Sequence, residues 1–473
     1  MTRTRTRLVA WAVAAAAGFV LGACGGTLYD PSRIPASDAG AGLACNDPAT
    51  HACGGVCIPQ DVAACGASCS PCAAAPQNAT ATCRPDSGGA YACGFACDPG
   101  WFACGSACCR ATKVAAGGDH SCAILDDGSL ACWGANDAGQ LGVPTAIASS
   151  THPVRPLGPG VTDVALGSRH TCVIQGSSVK CWGANSDGQL GSGSAGTGGP
   201  TPVTVSLSGA TRLAAGTYHT CALVAGGAVK CWGWNALGQL GLGNVLPDLA
   251  ASPASSLVTA GATDVAALSD TTCALVGTQV RCWGANLTGQ IGNGTTDASG
   301  HPTPDPAALS TTATPSFIAV GGAHVCAGLS PGGLFCWGDN SKTQLGSTSS
   351  TTPVTTPIQA NKIDNNQRSV LAVAGGAFTC SGKDALELAC AGANDQGQTG
   401  APPSVTAEGT VTFGGNVLQA AAGLEHACAL VDLTPAGTST PVVKCWGRNA
   451  EGQLGRATSP AGSPSASPDL VGP

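Results

Sequence analysis

Five histidines, at 120, 170, 219, 324 and 426, recur along the chain, and each is followed two positions later by a cysteine. An imidazole beside a thiol is a candidate metal ligand or activated nucleophile. The first question is therefore whether these groups can meet. The cysteines at 122, 172, 221, 273, 326, 380 and 428 head seven copies of one unit at an interval of roughly 50 residues. Equivalent positions of a repeat form a ring or a row, and neighbours in it stand too far apart to share one ion at ~2 Å. Two copies also lack the imidazole, having Thr271 and Phe378 in its place. The histidines are thus expected to brace the turn between the first two strands of each unit, without a metal. No nucleophile–base pair, paired carboxylates or phosphate loop stands out, and Asp126–Asp127–Gly128 reads as a hairpin turn, not a calcium loop. Neither catalytic residues nor a cofactor are expected.

The other cysteines suggest the compartment. The chain has 27 of them in 473 residues, a liability in a reducing cytosol and ordinary in an exported, oxidised protein. The N-terminus agrees: MTRTRTR is basic, LVAWAVAAAAGFV is apolar but too short to span a bilayer, and LGAC follows. LGAC resembles a lipoprotein processing site, at which Cys24 would be acylated. Residues 1–23 are then a lipoprotein signal peptide, 24–44 a flexible tether, 45–110 a cysteine-rich, disulfide-stapled segment, and 111–473 the repeats. Without Cys24, twelve cysteines fall between Cys45 and Cys109 and fourteen in the repeats, so each region can pair its own. Cys69 and Cys72 form a CxxC without the βαβ context of a redox motif, and a staple is expected instead.

The elements that carry the repeated residues are short strands. VALG (164–167), HTCVIQ (170–175), SVKCWG (178–183) and a proline-led segment such as TPVTVSL (201–207) alternate with Gly, Pro, Asn and Ser. Four antiparallel strands per unit, repeated around an axis, make a propeller. A Gly176–Ser177 turn would set Gln175 opposite Ser178, Ile174 opposite Val179, and Cys172 opposite Cys181. A directly opposed pair lies within disulfide reach. The same register predicts seven bonds: Cys122–Cys132, Cys172–Cys181, Cys221–Cys231, Cys273–Cys282, Cys326–Cys336, Cys380–Cys390 and Cys428–Cys445. In WGxN…GQLG, the tryptophan should pack between neighbouring sheets, the glycine should allow close backbone approach, and Asn and Gln should satisfy loop backbone groups.

These residues carry a family resemblance. VALGSRHTCVIQGSSVKCWGANSDGQLG (164–191) resembles the repeat of the regulator of chromosome condensation family, and seven copies cover about three quarters of the chain. The resemblance implies an all-β, seven-bladed β-propeller of four-stranded antiparallel blades. The sixth copy departs from it, with Ala391 for Trp and Phe378 for His, and the paired cysteines are not usual in the nuclear member. Whether the C-terminal strand near 467–471 completes blade seven or closes onto blade one stays open. That family is best known for guanine-nucleotide exchange on a small nuclear GTPase and for nucleosome binding. Neither is expected of an exported chain with net charge −7 and pI near 5.5, and no nucleic-acid partner is expected.

A binding or scaffolding role is the expectation that remains: an envelope lipoprotein, membrane-held through Cys24 at the outer membrane or cell surface, whose propeller meets a protein or glycan. Tyr218, Trp234, Phe317 and Phe378 are the candidate aromatic contacts. Uneven Ser/Thr/Pro-rich segments at 242–262, 293–316 and 346–368 are expected as long loops on one face. The alternatives are an enzyme inhibitor, as the resemblance to β-lactamase-inhibiting propellers implies, and a purely structural envelope protein.

Overall fold

Runs of four to ten residues punctuated by glycine and proline have no room for helical periodicity, and among the described residues every regular element is a strand. The structure is a computed structural model that describes residues 50–53, 56–59, 72–85, 91–98, 100–104, 106–309, 313–330, 333–348, 352–364, 371–384, 386–403, 408–434, 441–463 and 469–470. The expected signal peptide, Cys24 and the tether lie outside them. The chain divides into two units, Met1–Ala96 and Cys97–Pro473. In the first, Thr50–Cys53 pairs with Val56–Pro59 and a disulfide joins Cys72 to Cys93. Cys72 is therefore not half of a CxxC redox pair with Cys69.

The second unit is a propeller of seven blades, each a contiguous set of four antiparallel strands. In blade 2 these are Val161–Leu166, His170–Gln175, Ser178–Asn185 and Gly196–Val205. The other blades begin at Ala111, Ala210, Ala262, Thr314, Leu371 and Asn416. The hairpin register is the expected one: Gln175 faces Ser178, Ile174 faces Val179, and Cys172 faces Cys181. Gly176 has φ +60°, as the tight turn requires. All seven expected blade disulfides are present, and Cys172–Cys181 spans 4.1 Å between α-carbons.

The C-terminal strand finishes blade 7, because Asp469–Leu470 pairs with its third strand at Cys445 and Lys444. The ring is closed by contacts between blades 7 and 1. Gln419 donates from Nε2 to the Val114 carbonyl and accepts at Oε1 from the Val114 N–H, both at 3.1 Å.

One seam has an extra part. The outer edge of blade 7 is formed in two short pieces, Ser459–Ser463 and Asp469–Leu470. Phe102 is buried there against Trp133, with ring centroids 6.1 Å apart, in a cluster that includes Leu430 and Val443 of blade 7. Phe102 stands on the small hairpin Phe102–Cys104/Ala107–Cys109, stapled by Cys97–Cys108 and Cys104–Cys109. Arg155 holds the same hairpin by donating to the Ala103 carbonyl. The end of the cysteine-rich segment is thus built into the propeller.

Each segment expected as a long loop contains an outer strand. Leu249–Ser255, Asp297–Pro306 and Val354–Gln359 are the outer strands of blades 3, 4 and 5. An outer strand pairs on one side only, so prolines and small polar residues are tolerated there, and its composition looks like a loop's.

Candidate functional site

The repeated side chains meet between blades. At four seams the hydroxyl one residue beyond the histidine position donates to a glutamine carbonyl of the preceding blade: Thr171 to Gln140 at 2.8 Å, and Thr220 to Gln189, Thr272 to Gln239 and Ser121 to Gln453 at 3.0 Å. At these four seams, and at Thr379, the histidine of the preceding blade meets the hydroxyl. The pairs are His120–Thr171 and His170–Thr220 at 2.9 Å, His219–Thr272 and His324–Thr379 at 2.7 Å, and His426–Ser121 at 2.8 Å across the closing seam. Where the hydroxyl has committed its proton to a carbonyl, the imidazole must donate from Nε2. Nδ1 is buried without a hydrogen-bond partner in all five rings. Burial holds the imidazoles well below their ordinary range, at about 3 for His120, His219 and His426 and about 4 for His170 and His324. Each ring also lies against a glycine of the first turn; a β-carbon at Gly167 would sit 2.0 Å from His170 Cε1. The rings thus touch their own turn only by packing, and their hydrogen bond goes to the next blade.

Tryptophan reinforces the joint. Trp182 Nε1 donates to the Gln140 carbonyl at 3.0 Å, and the tryptophans of blades 1, 3, 4, 5 and 7 make the equivalent bond. Blade 6 has Ala391 instead. A tryptophan ring lies over Gly142, Gly191, Gly241 and Gly292 of GQLG or GQIG, as Trp232 does over Gly191; at Gly346, facing blade 6, Ile363 covers the glycine.

The Asn and Gln of WGxN…GQLG build the loop between the third and outer strands. Asn136 Oδ1 accepts from Leu141 N–H and Gln140 Oε1 accepts from Ala138 N–H, both at 2.9 Å, and all seven blades repeat the pair. The glycine before Asn has positive φ, and a β-carbon on Gly183 would strike the Arg169 carbonyl at 2.5 Å. The repeat's own polar residues are therefore engaged in holding blades and loops.

Antiparallel order places the first turn of every blade and its Asn–Gln loop at the same end of the propeller. On this loop face Tyr218 is 42% exposed and stands edge-on to the half-buried Trp234, centroids 6.0 Å apart. The Tyr218 turn touches the next one through Thr217 N–H donating to the Ser269 carbonyl at 2.7 Å. Asp270 follows, its carboxyl pushed up to about 6 by burial. The other two expected aromatics are corrected. Phe378 is fully buried between blades in the histidine slot, and Phe317 is half-buried with its ring over Gly328. Apolar packing outcompeted exposure at both.

A belt between the inner strands had no signal in the repeat, because its residue types differ from blade to blade. Lys113 pairs with Asp163, whose other oxygen accepts from Leu213 N–H at 2.7 Å, and Arg212 pairs with Asp264 at 3.0 Å. Only a comparison of charges at one repeat position, read as neighbours in a ring, would have found it.

Residues 111–140 and 210–239, and residues 127–174, 178–223 and 331–381, match two descriptions of the Regulator of chromosome condensation (RCC1) repeat. No curated protein matches the chain. Among solved structures, human WBSCR16 is similar at 21% identity and TM-score 0.63, over 72% of this chain and 94% of that one. Prp20p from Saccharomyces cerevisiae, described with its binding properties to Gsp1p and histones, is similar at 20% identity and TM-score 0.59, over 66% of this chain and 80% of that one. Likeness at this level concerns the fold. The chain is an all-β, seven-bladed propeller that contains regulator of chromosome condensation repeats in the matched residues.

Proposed function

We propose that this propeller is a non-catalytic binding or scaffolding module of an exported, lipid-anchored protein, with Cys24 as the anchor and the loop face as the contact surface. The observation that carries the reading is the Tyr218–Trp234 pair. Every other tryptophan of the repeats is fully buried. Trp234 instead occupies the variable position of WGxN, filled by alanine in blades 1, 2, 4 and 6, and is half-exposed beside an exposed tyrosine. Aromatic residues held rigidly at a surface supply contact area at little entropic cost, and such residues dominate interface energetics. The cysteine content and the N-terminal LGAC support export and anchoring.

The test is capture of envelope and secreted components on the immobilised, oxidised full chain, identified by mass spectrometry and repeated with Tyr218→Ala/Trp234→Ala. A species retained by the parent and lost on the double variant is the expected result. Equal retention by both forms would remove the loop face from the function and leave a structural role.

A further inference from the structure

The two ends of the propeller differ in charge. On the loop face the first turns contribute Asp119, Asp270 and Glu425. The Asn–Gln loops add Asp137, Asp187, Asp248, Asp339, Asp395 and Glu451, one in each blade except the fourth. The cations there are Arg169, Lys342, Arg448 and Arg456. Nine carboxylates against four cations place most of the chain's net charge of −7 at this end. Arg169 is committed to Asp137, and Arg448 to Asp119 and Glu425. Asp187, Asp248, Asp395 and Glu451 have no cationic partner among the described residues. At the opposite, hairpin end Asp126 pairs with Arg110 and Asp127 with Arg155, while Glu387 has no ion pair among the described residues.

Apolar exposure falls on the same acidic face, around blades 3 and 4. Leu246 is 73% and Leu287 68% exposed, in the third-to-outer links of the blades that carry Tyr218 and Asp270. Asp270 is itself incompletely satisfied. At the closing seam Asp119 Oδ1 accepts from Gln453 Nε2 at 3.1 Å, whereas at the seam of blades 3 and 4 both Asp270 Oδ1 and Gln239 Nε2 are buried without a hydrogen-bond partner.

We infer that the loop face docks a cationic polypeptide segment, in which lysine or arginine side chains alternate with aliphatic ones. This deepens the binding reading above and rests on it. Guanidinium groups of such a segment find the Tyr218 and Trp234 rings as cation–π partners and the unpaired carboxylates of the same face as counter-charges. Its aliphatic side chains cover Leu246 and Leu287. An anionic membrane surface or nucleic acid is repelled by the same face. A neutral glycan has a use for the aromatic rings and none for the surrounding charge. The field of the uncompensated carboxylates also steers a cationic partner to this end of the molecule, an effect that salt screens.

The experiment measures fluorescence anisotropy of a labelled peptide of alternating arginine and leucine with the oxidised full chain. A glutamate–leucine peptide of equal length is the control. The expected result is saturable binding of the arginine peptide that weakens steadily with salt. It should fall at least tenfold both in Tyr218→Ala/Trp234→Ala and in Asp187→Lys/Asp248→Lys/Asp395→Lys. The hairpin-end variant Glu387→Lys should bind as the parent does, and unchanged melting curves verify folding. Equal binding of the two peptides, or an equal loss in Glu387→Lys, overturns the inference. The capture experiment separates it from the broader reading. A retained species that depends on Tyr218 and Trp234 but survives charge reversal, a glycan for instance, sinks the cationic partner and leaves the binding module standing. Retention indifferent to both sets of variants removes both.

Discussion

Five of the seven blade interfaces are joined by a buried imidazole–hydroxyl pair, and two are not. At the seam of blades 4 and 5 the histidine position holds Thr271 and the hydroxyl position Val325. At the seam of blades 6 and 7 they hold Phe378 and Ala427. Both members are exchanged in each case, and all four side chains are buried. A lone imidazole N–H facing valine or alanine is a buried donor without an acceptor, whereas Phe378 against Ala427 has no such cost and Thr271 turns its hydroxyl to the Ala285 carbonyl of its own blade. Neighbouring blades therefore change partners together. The repeat is a chain of pairwise joints between copies, more than a set of independent copies.

The largest way to break the comparison is acid. The five imidazoles are held at about 3 or 4 in the fold, against an ordinary value near 6.5. Unfolding lets each take up a proton below pH 6.5, so stability is complete above that pH and falls as pH drops toward 4. The limiting slope is about 1.4 kcal/mol per pH unit for each histidine. Thermal midpoints from pH 7.5 to 4.5 should fall steeply, and a flat profile would show that the rings are not held neutral. His170→Phe with Thr220→Ala, which copies the seam of blades 6 and 7, should remove one proton from the uptake on unfolding.

Transplanting half a joint comes next. Phe378→His sets an imidazole against Ala427 and should cost about 3 kcal/mol in urea denaturation, from lost ring packing and an unpaired buried donor. Adding Ala427→Thr should recover a measurable part. If the single variant is as stable as its parent, the paired-exchange account is wrong.

The blade disulfides act within copies, not between them. Replacing Cys172 and Cys181 together by alanine should cost about 2 kcal/mol, since the loop closed is short. Denaturation midpoints of the parent and this variant under non-reducing conditions check it, and equal values would mean that the bond adds nothing to register. The smallest effect sharpens the first comparison. A double-mutant cycle of His170→Phe and Thr220→Val should give a coupling energy of about 1 kcal/mol. Additive single effects would show that the contact is geometric only.

Much of the fold was readable because it is local. Strand identity follows from short apolar runs between Gly and Pro, and the Cys172–Cys181 register from a two-residue turn and the alternation beside it. The Asn–Gln loop was legible for the same reason, since donor and acceptor lie within five residues of each other. The outer strands were legible in part. The proline-led TPVTVSL (201–207) reads as a strand and lies largely in Gly196–Val205, whereas HPTPDP (301–306) reads as loop, because it bonds to one neighbour only and its composition is a loop's. Phe378 was misassigned as a surface residue because its exposure depends on the adjacent blade. Tyr218 and Trp234 were found because they break the pattern of the repeat.

Taken alone, the sequence of this protein determined the seven units, the strands within them, the seven cysteine pairs and the loop chemistry, because each depends on neighbours a few residues away. Only the tertiary structure decided which groups meet across about fifty residues. The histidine became a strut to the next blade, Phe102 was drawn into the seam of blades 7 and 1, and the carboxylates of six separate loops were gathered on one face. Curvature of the ring brings these groups together, and no local pattern encodes which residue lies across a seam.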